Sequence, residues 1–186
     1  MENKSEIKNI FVGCSSRDID NNNFNKLAED IGNFIVENNL NYVFGGCKDG
    51  LMGKIYSIVK NSNSDIIVTM AKAYEEELKG LSYSKSYLYN TVNERKNGFI
   101  SLSDIMIFIP GGIGTIDELF TAIEACRSKD YTVPIIIINI DGFFDPVLDM
   151  FEKIYNLKLA DNKSRELYFV ANSFDEAKQY ILNLQK

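Results

Sequence analysis

The chain has 186 residues, of which 45% are apolar and 25% charged, as in one ordinary globular domain and unlike a disordered chain. Its formal net charge of −6 argues against a general nucleic-acid-binding protein, because neutralising phosphates requires clustered Lys and Arg. The chain contains no His, which excludes Ser-His-Asp and Cys-His catalysis, an imidazole general base and His-ligated zinc.

The three cysteines, at positions 14, 47 and 126, are far apart and show no CxxC spacing. Neither a disulfide framework nor a metal site is therefore indicated. The opening residues, Met-Glu-Asn-Lys-Ser-Glu, lack the apolar core of a signal peptide, and every apolar run falls short of the roughly 18 residues that a membrane helix needs. We expect a cytoplasmic protein that does not bind membranes.

Short strand-like segments alternate with amphipathic helical segments along the chain. Strands are predicted over residues 9–12, 41–44, 65–69, 87–89, 104–109, 135–138 and 166–170. Helices are predicted over residues 24–35, 51–59 and 91–102, and from residues 115, 145 and 173 onward. The helix from residue 145 starts at a capping Asp followed by Pro, and the helix from residue 173 starts at a capping box. Residues 70–86 are predicted to be a loop.

Alternation of this kind predicts βαβ units, and hence an α/β fold with a mainly parallel, Rossmann-like doubly wound sheet and helices on both faces. The uninterrupted branched apolar run at 135–138 is typical of a strand buried on both faces. We expect a single domain over residues 1–186. Ligands bind such sheets at the carboxyl ends of strands, and three predicted strand ends are rich in Gly or Ser, at 13–16, 45–46 and 111–115.

The strongest motif is segment 110–118, Pro-Gly-Gly-Ile-Gly-Thr-Ile-Asp-Glu. Its glycines allow a ligand to approach the backbone closely, and the helix that follows directs unpaired N–H groups into the same space, which favours phosphate. It is neither a P-loop nor GxGxxG. Two interpretations of Glu118 remain open here, since Thr115-x-x-Glu118 fits a capping box as well as a catalytic carboxylate.

Segment 110–118 resembles the PGGxGTxxE motif of the Lonely Guy (LOG) family of cytokinin riboside 5'-monophosphate phosphoribohydrolases, whose members are often labelled "lysine decarboxylase". Two further family motifs, MxxRK and GGGxxGLMG, resemble segments 92–96 and 45–53. The family's opening strand and Gly-Ser-Ser turn resemble segment 11–16, with Cys14 in place of Gly. The resemblance covers nearly the whole chain, with the order and spacing of the motifs kept.

The resemblance implies hydrolysis of the N-glycosidic bond of a nucleoside 5'-monophosphate, with Arg95 and Glu118 as the catalytic pair and no metal or cofactor. A carboxylate suits this chemistry, because it stabilises an oxocarbenium-like transition state and can activate water. A guanidinium is always charged and forks onto phosphate or ribose oxygens. The resemblance also implies a homodimer, with helices after the Gly-rich turn in the interface, where Phe120, Ile123 and Cys126 offer apolar surface.

Further positions follow from the three Gly-rich or Ser-rich strand ends and from the resemblance. The substrate- and phosphate-binding residues are predicted to be Gly13, Ser15, Ser16, Gly45, Gly46, Glu77, Lys96, Gly111, Gly112, Gly114 and Thr115. Structural alternatives stay open for several of them. Arg95 and Lys96 fit a solvated helix face, Glu77 fits an exposed acidic run, and both serines fit a turn or helix cap.

The chain departs from the family pattern at Val92, which replaces Met, at Asp117, which replaces a common Glu, and after the Gly-rich motif. These departures leave Arg95 and Glu118 in place. An alternative function is a non-catalytic protein that binds a nucleotide or nucleotide-sugar on the same fold. A dinucleotide oxidoreductase is disfavoured, because the first strand ends in Gly-Cys-Ser-Ser and not GxGxxG. A lysine decarboxylase is also disfavoured, since no residue identifies a Schiff-base lysine.

Overall fold

Seven parallel strands form one sheet in the computed structural model, which describes residues 7–185. The strands are β1 (Asn9–Gly13), β2 (Asn41–Phe44), β3 (Ile66–Ala71), β4 (Lys85–Tyr89), β5 (Ile105–Phe108), β6 (Ile135–Ile138) and β7 (Phe169–Ala171). Their order across the sheet is β4-β3-β2-β1-β5-β6-β7, and every neighbouring pair is parallel. The order reverses direction between β1 and β5, which confirms the predicted doubly wound α/β fold.

Six α-helices are present among the described residues: α1 (Asn22–Glu37), α2 (Gly50–Val59), α3 (Val92–Leu102), α4 (Ile113–Arg127) and α5 (Asp145–Asn156) lie between strands, and α6 (Phe174–Leu184) follows β7. Short 3-10 segments occupy Lys72–Leu78, Ile140–Gly142 and Asn162–Leu167. Side chains cap three of the helices, because Asn21, Thr91 and Ser173 each accept a hydrogen bond from a backbone N–H in the first turn.

Alternating strand residues supply two cores, one on each face of the sheet. Ile10, Tyr42 and Val68 point toward α1, α2 and α6. Phe11 and Val43, the neighbours of the first two in sequence, point toward α3, α4 and α5. Because side chains alternate along a strand, central strands that are buried on both faces must be apolar at every position. This explains the four consecutive isoleucines of β6, all of which are buried.

The structure corrects several predicted boundaries. The segment predicted as a loop contains the 3-10 turn Lys72–Leu78 and the first residues of β4. The last strand lies later than predicted, because Phe169–Ala171 pairs with β6 while Glu166 belongs to the preceding 3-10 segment. The N-cap of α5 is Phe144 and not Asp145 as predicted. Asp145 is therefore the first helical residue, and Pro146 still lies in the first turn, where its missing N–H is tolerated.

None of the helices described between residues 7 and 185 is long and apolar enough to cross a membrane. The opening segment that the sequence predicts not to be a signal peptide lies outside the described residues.

Candidate functional site

A cleft of about 640 Å³ lies at the carboxyl end of the sheet, above the point where the strand order reverses. Its walls come from the turn after β1, the turn after β2, the 3-10 segment after β3, and helices α3 and α4. The predicted site residues that line it are Ser15, Ser16, Gly45, Glu77, Arg95, Gly112, Gly114, Thr115 and Glu118. The structure therefore brings together residues that are more than 100 positions apart in the chain.

Helix α4 begins earlier than predicted, at Ile113, and directs its amino terminus into the cleft. Gly112 is its N-cap and supplies no side-chain hydrogen bond, so the first N–H groups of the helix have no partner within it. A Cβ built on Gly112 or on Gly114 would meet no atom within 4 Å. No protein contact requires glycine at these two positions, and the open space above them leaves room for an anion to reach the backbone.

Arg95 is held in the cleft wall by two backbone carbonyls, one in β3 and one in the turn after β2. Its Nε donates to the Thr69 carbonyl at 3.0 Å, and its Nη2 donates to the Gly45 carbonyl at 3.3 Å. The guanidinium also lies 4.8 Å from the centre of the Phe99 ring. A Cβ at Gly45 would lie 2.2 Å from Nη2, so only glycine leaves room for this arrangement. A guanidinium has five N–H donors, and these two bonds leave three available to a ligand.

Glu118 lies on α4 well beyond its first turn, at a position that a capping residue cannot occupy. The capping interpretation is therefore wrong, and the reason is that the helix starts at Ile113 and not at Thr115. In the part of the chain that the structure describes, the Glu118 side chain makes no hydrogen bond and no ion pair. Its carboxyl group is left for the contents of the cleft.

The electrostatics of the cleft raise the pKa of Glu118 from its ordinary 4.5 to about 7. Burial is the largest cause, and Asp117 adds to it, while the positive charges of Arg95 and Lys96 act in the opposite direction. Burial also lowers the pKa of Arg95, and the nearby negative charge of Glu118 partly offsets this. The side chains of Arg95 and Glu118 therefore lie in the same poorly solvated cleft. Near neutral pH Glu118 is present as both the carboxylate and the carboxylic acid.

Four predicted site residues do not line the cleft: Gly13, Gly46, Lys96 and Gly111. Lys96 instead forms an ion pair with Asp117. The glycines are explained by packing and backbone shape. A Cβ at Gly13 would lie 2.6 Å from Phe108, and one at Gly111 would lie 2.1 Å from Thr115 Oγ1. Gly46 adopts a φ of +84°, which disfavours other residues.

The two serines and Glu77 line the cleft but differ in exposure. Ser15 is buried, and its hydroxyl donates to the Arg17 carbonyl and accepts from the Arg17 N–H, as in a turn. Ser16 is exposed. Glu77 is exposed on the 3-10 segment, on the rim of the cleft.

Several lining residues were not predicted as site residues from the sequence. They include Met52, Met70 and Tyr74, and the two cysteines Cys14 and Cys47. Cys14 and Cys47 stand within segments that resemble family motifs, which is a signal that could have placed them there. Tyr74 carries no such signal, because it sits in a segment predicted as a loop.

Comparison with known proteins assigns the sequence to a family. The family model described as "Possible lysine decarboxylase" matches residues 52–181. The chain belongs to this family, the LOG family. It is 28% identical over 174 residues to the probable cytokinin riboside 5'-monophosphate phosphoribohydrolase LOG4 of Oryza sativa subsp. japonica, an alignment that covers 93% of this chain and 76% of the rice protein. It is 27% identical to LOG2 of Arabidopsis thaliana, with 97% and 85% covered.

Solved structures show the same fold. The Moco carrier protein of Chlamydomonas reinhardtii superimposes with a TM-score of 0.70 at 17% identity, covering 96% of this chain and 98% of the algal protein. At this level of identity the likeness concerns the fold alone. This LOG-family chain thus shares its architecture with a protein that is named as a carrier.

Proposed function

We propose that this LOG-family chain is a nucleoside 5'-monophosphate phosphoribohydrolase, which releases a free base and ribose 5-phosphate. One observation carries the proposal. The unpaired Glu118 carboxyl group and the anchored Arg95 guanidinium line the same cleft as the open amino terminus of α4. The relatives named as phosphoribohydrolases in rice and Arabidopsis align over most of the chain.

The amino terminus of α4 supplies the phosphate site in this proposal. Its unpaired N–H groups and the helix dipole favour an anion, and the open space at Gly112 and Gly114 allows phosphate oxygens to reach the backbone. The Arg95 guanidinium adds a positive charge, which the carbonyls of Thr69 and Gly45 hold in place, and its three remaining N–H groups are donors for phosphate oxygens. Phosphate recognition then rests on backbone and guanidinium, and needs neither Lys96 nor a metal ion.

The reaction breaks the bond between the ribose C1' and the base nitrogen. The bonding electrons leave with the base, and positive charge develops on the ribose ring, where the Glu118 carboxylate stabilises it. A water molecule adds its oxygen to C1'. One of its protons passes to Glu118, and Glu118 then gives up this proton, directly or through water, to the departing base, so that the products are the neutral free base and ribose 5-phosphate. Glu118 must be deprotonated to act, and its pKa of about 7 makes this form available at neutral pH.

The proposal is tested by incubating purified protein with a panel of nucleoside 5'-monophosphates and measuring free base and ribose 5-phosphate. We expect release of base from at least one monophosphate. The matching nucleoside should be hydrolysed far more slowly, because it lacks the anion that α4 and Arg95 bind. Equal hydrolysis of nucleoside and monophosphate would contradict the phosphate site.

A second function on this fold is binding without turnover. The Moco carrier protein of Chlamydomonas reinhardtii shows that a protein named as a carrier adopts this architecture. Glu118 argues against it here, because a protein that only binds anions has no use for a partly desolvated carboxylate beside the anion site. Calorimetry on the same panel separates the two functions, since a carrier would bind a monophosphate and release no base.

A further inference from the structure

An ion pair next to the cleft joins the two helices that bear Arg95 and Glu118. Lys96 Nζ, on α3, donates to both carboxylate oxygens of Asp117, on α4, at 3.0 and 2.9 Å. Only 14% of the Lys96 side chain is exposed, against 52% for Asp117. The pair therefore connects the residue after Arg95 to the residue before Glu118.

The two members of the pair shift the pKa of Glu118 in opposite directions. The Lys96 ammonium lowers the pKa of Glu118, and the Asp117 carboxylate raises it. The other ionisable groups that interact electrostatically with Glu118 are Arg95 on α3, Cys14 after β1 and, more remotely, Tyr42 on β2. Burial raises the pKa of both the Cys14 thiol and the Tyr42 hydroxyl well above their ordinary values, so these two groups stay neutral and add no charge. Arg95, Lys96 and Asp117 are then the charges that shift the pKa of Glu118, and Arg17 and Glu77 are further charged side chains that line the same cleft.

We propose that Lys96 and Asp117 are positioning residues, which together hold α3 against α4 and balance the charge around the Glu118 carboxylate. This inference rests on the proposed function for its catalytic meaning. It assigns Lys96 to Glu118 and not to the substrate phosphate, because its ammonium is occupied by Asp117 and lies outside the cleft lining.

The proposal makes opposite predictions for the two partners. Lys96→Met keeps the length of the side chain and leaves Asp117 as an uncompensated negative charge, so the pKa of Glu118 should rise. Asp117→Asn keeps the shape and leaves Lys96 as an uncompensated positive charge, so the pKa of Glu118 should fall. For a charge several ångströms away in a partly solvated site, each shift should be roughly half a pH unit. The double variant should titrate close to the wild type, and so should Lys96→Arg.

The test is a carbon-13 NMR titration of protein carrying labelled glutamate carboxyl groups, with the Glu118 signal assigned by its absence in Glu118→Gln. Arg127→Met and Glu124→Gln are the matched controls, because they break an exposed ion pair on the same helix α4. They should leave the Glu118 titration unchanged. Shifts in the same direction for both Lys96→Met and Asp117→Asn, or shifts no larger than those of the controls, would overturn the proposal.

Activity gives a second, independent readout. When kcat is measured against pH in the panel assay, its acidic limb should move to higher pH for Lys96→Met and to lower pH for Asp117→Asn. The size of each displacement should equal the shift in pKa that the titration measures. The NMR measurement needs no turnover. Absence of hydrolysis by the wild type would therefore overturn the proposed function, whereas the Glu118 titration would still decide the role of the ion pair.

Discussion

Glu118 is the residue at which folding and the proposed chemistry oppose each other. Glu118 is half-buried in the cleft wall, its carboxyl group has no hydrogen bond among the described residues, and this environment disfavours its charged form. A group whose pKa is raised by folding contributes stability below its unfolded pKa, and this contribution is lost as the pH rises through the folded pKa. For Glu118 the window runs from about pH 4.5 to about pH 7.

Replacing Glu118 by Gln should therefore stabilise the protein in a pH-dependent way. The amide has similar shape and no charge to desolvate. Above pH 8 the gain in the free energy of unfolding should be about 1–3 kcal/mol, whereas near pH 4.5 it should be close to zero. Denaturant unfolding of both proteins across this pH range measures the difference. A gain that does not change with pH would show that Glu118 is well solvated in the folded protein.

The same variant should lose its catalytic activity while it keeps its fold. Removal of the carboxylate deletes both the stabilisation of the oxocarbenium-like state and the general base, and general base catalysis alone is worth about 10²- to 10⁴-fold in rate. Binding of a nucleoside monophosphate should persist or tighten, because a negative charge near the phosphate is gone. Base release and calorimetry measure the two effects. Full activity in Glu118→Gln would reduce this residue to a structural role and favour the binding protein.

At the scale of the element, the amino terminus of α4 is built for access and not for stability. A side-chain cap at position 112 would satisfy one of its free N–H groups and stabilise the helix by roughly a few tenths of a kcal/mol relative to glycine. Glycine at 114, inside the first turn, is also a weak helix former. Both departures from an ideal helix start keep the backbone open to the cleft.

Gly114→Ala should therefore stabilise the protein and weaken nucleotide binding. The Cβ would meet no protein atom within 4 Å, and alanine in a helix is favoured over glycine by about 0.5–1 kcal/mol. The same Cβ would stand in the proposed phosphate site. Thermal unfolding and calorimetry with a nucleoside monophosphate measure the two effects. Unchanged affinity would place the phosphate elsewhere in the cleft.

At the scale of the molecule, the outer surface beside α4 and α5 carries apolar side chains. Phe120 is 41% exposed, although its ring packs 5.3 Å from the ring of Phe151 on α5. Ile123 and Cys126 are half-buried on α4, and Met150 is 54% exposed on α5. Exposed apolar groups on one side of a domain are typical of an interface.

We predict a homodimer that buries this surface of α4. Sedimentation at micromolar concentration should give twice the monomer mass, and Phe120→Asp should shift the protein toward the monomer. Tyr83→Asp is the matched control, because Tyr83 is also 41% exposed but precedes β4 at the sheet edge. A wild-type protein that sediments only as a monomer would contradict the prediction.

Local patterns were sufficient for most of the architecture. The apolar run of β6, the helical spacing in α1 and the capping box at Ser173 each depend on residues close in sequence, and each predicted the element that the structure contains. Where a contact between distant segments decided the outcome, the prediction was wrong. The last strand is set by its pairing with β6, and the segment after β3 folds into a 3-10 turn against the sheet.

The amino-acid sequence by itself determined the parallel sheet and the three loops that meet at its carboxyl edge, because periodicity and the spacing of strand ends are properties of the chain. Arg95 and Glu118 became candidates through the resemblance of their segments to LOG-family motifs. Only the tertiary structure decided what these groups do to one another. It placed Glu118 beyond the N-cap region of α4, anchored Arg95 on two backbone carbonyls and paired Lys96 with Asp117. Burial, desolvation and the distance between charges on different helices arise only when the helices pack, and they set the pKa of Glu118.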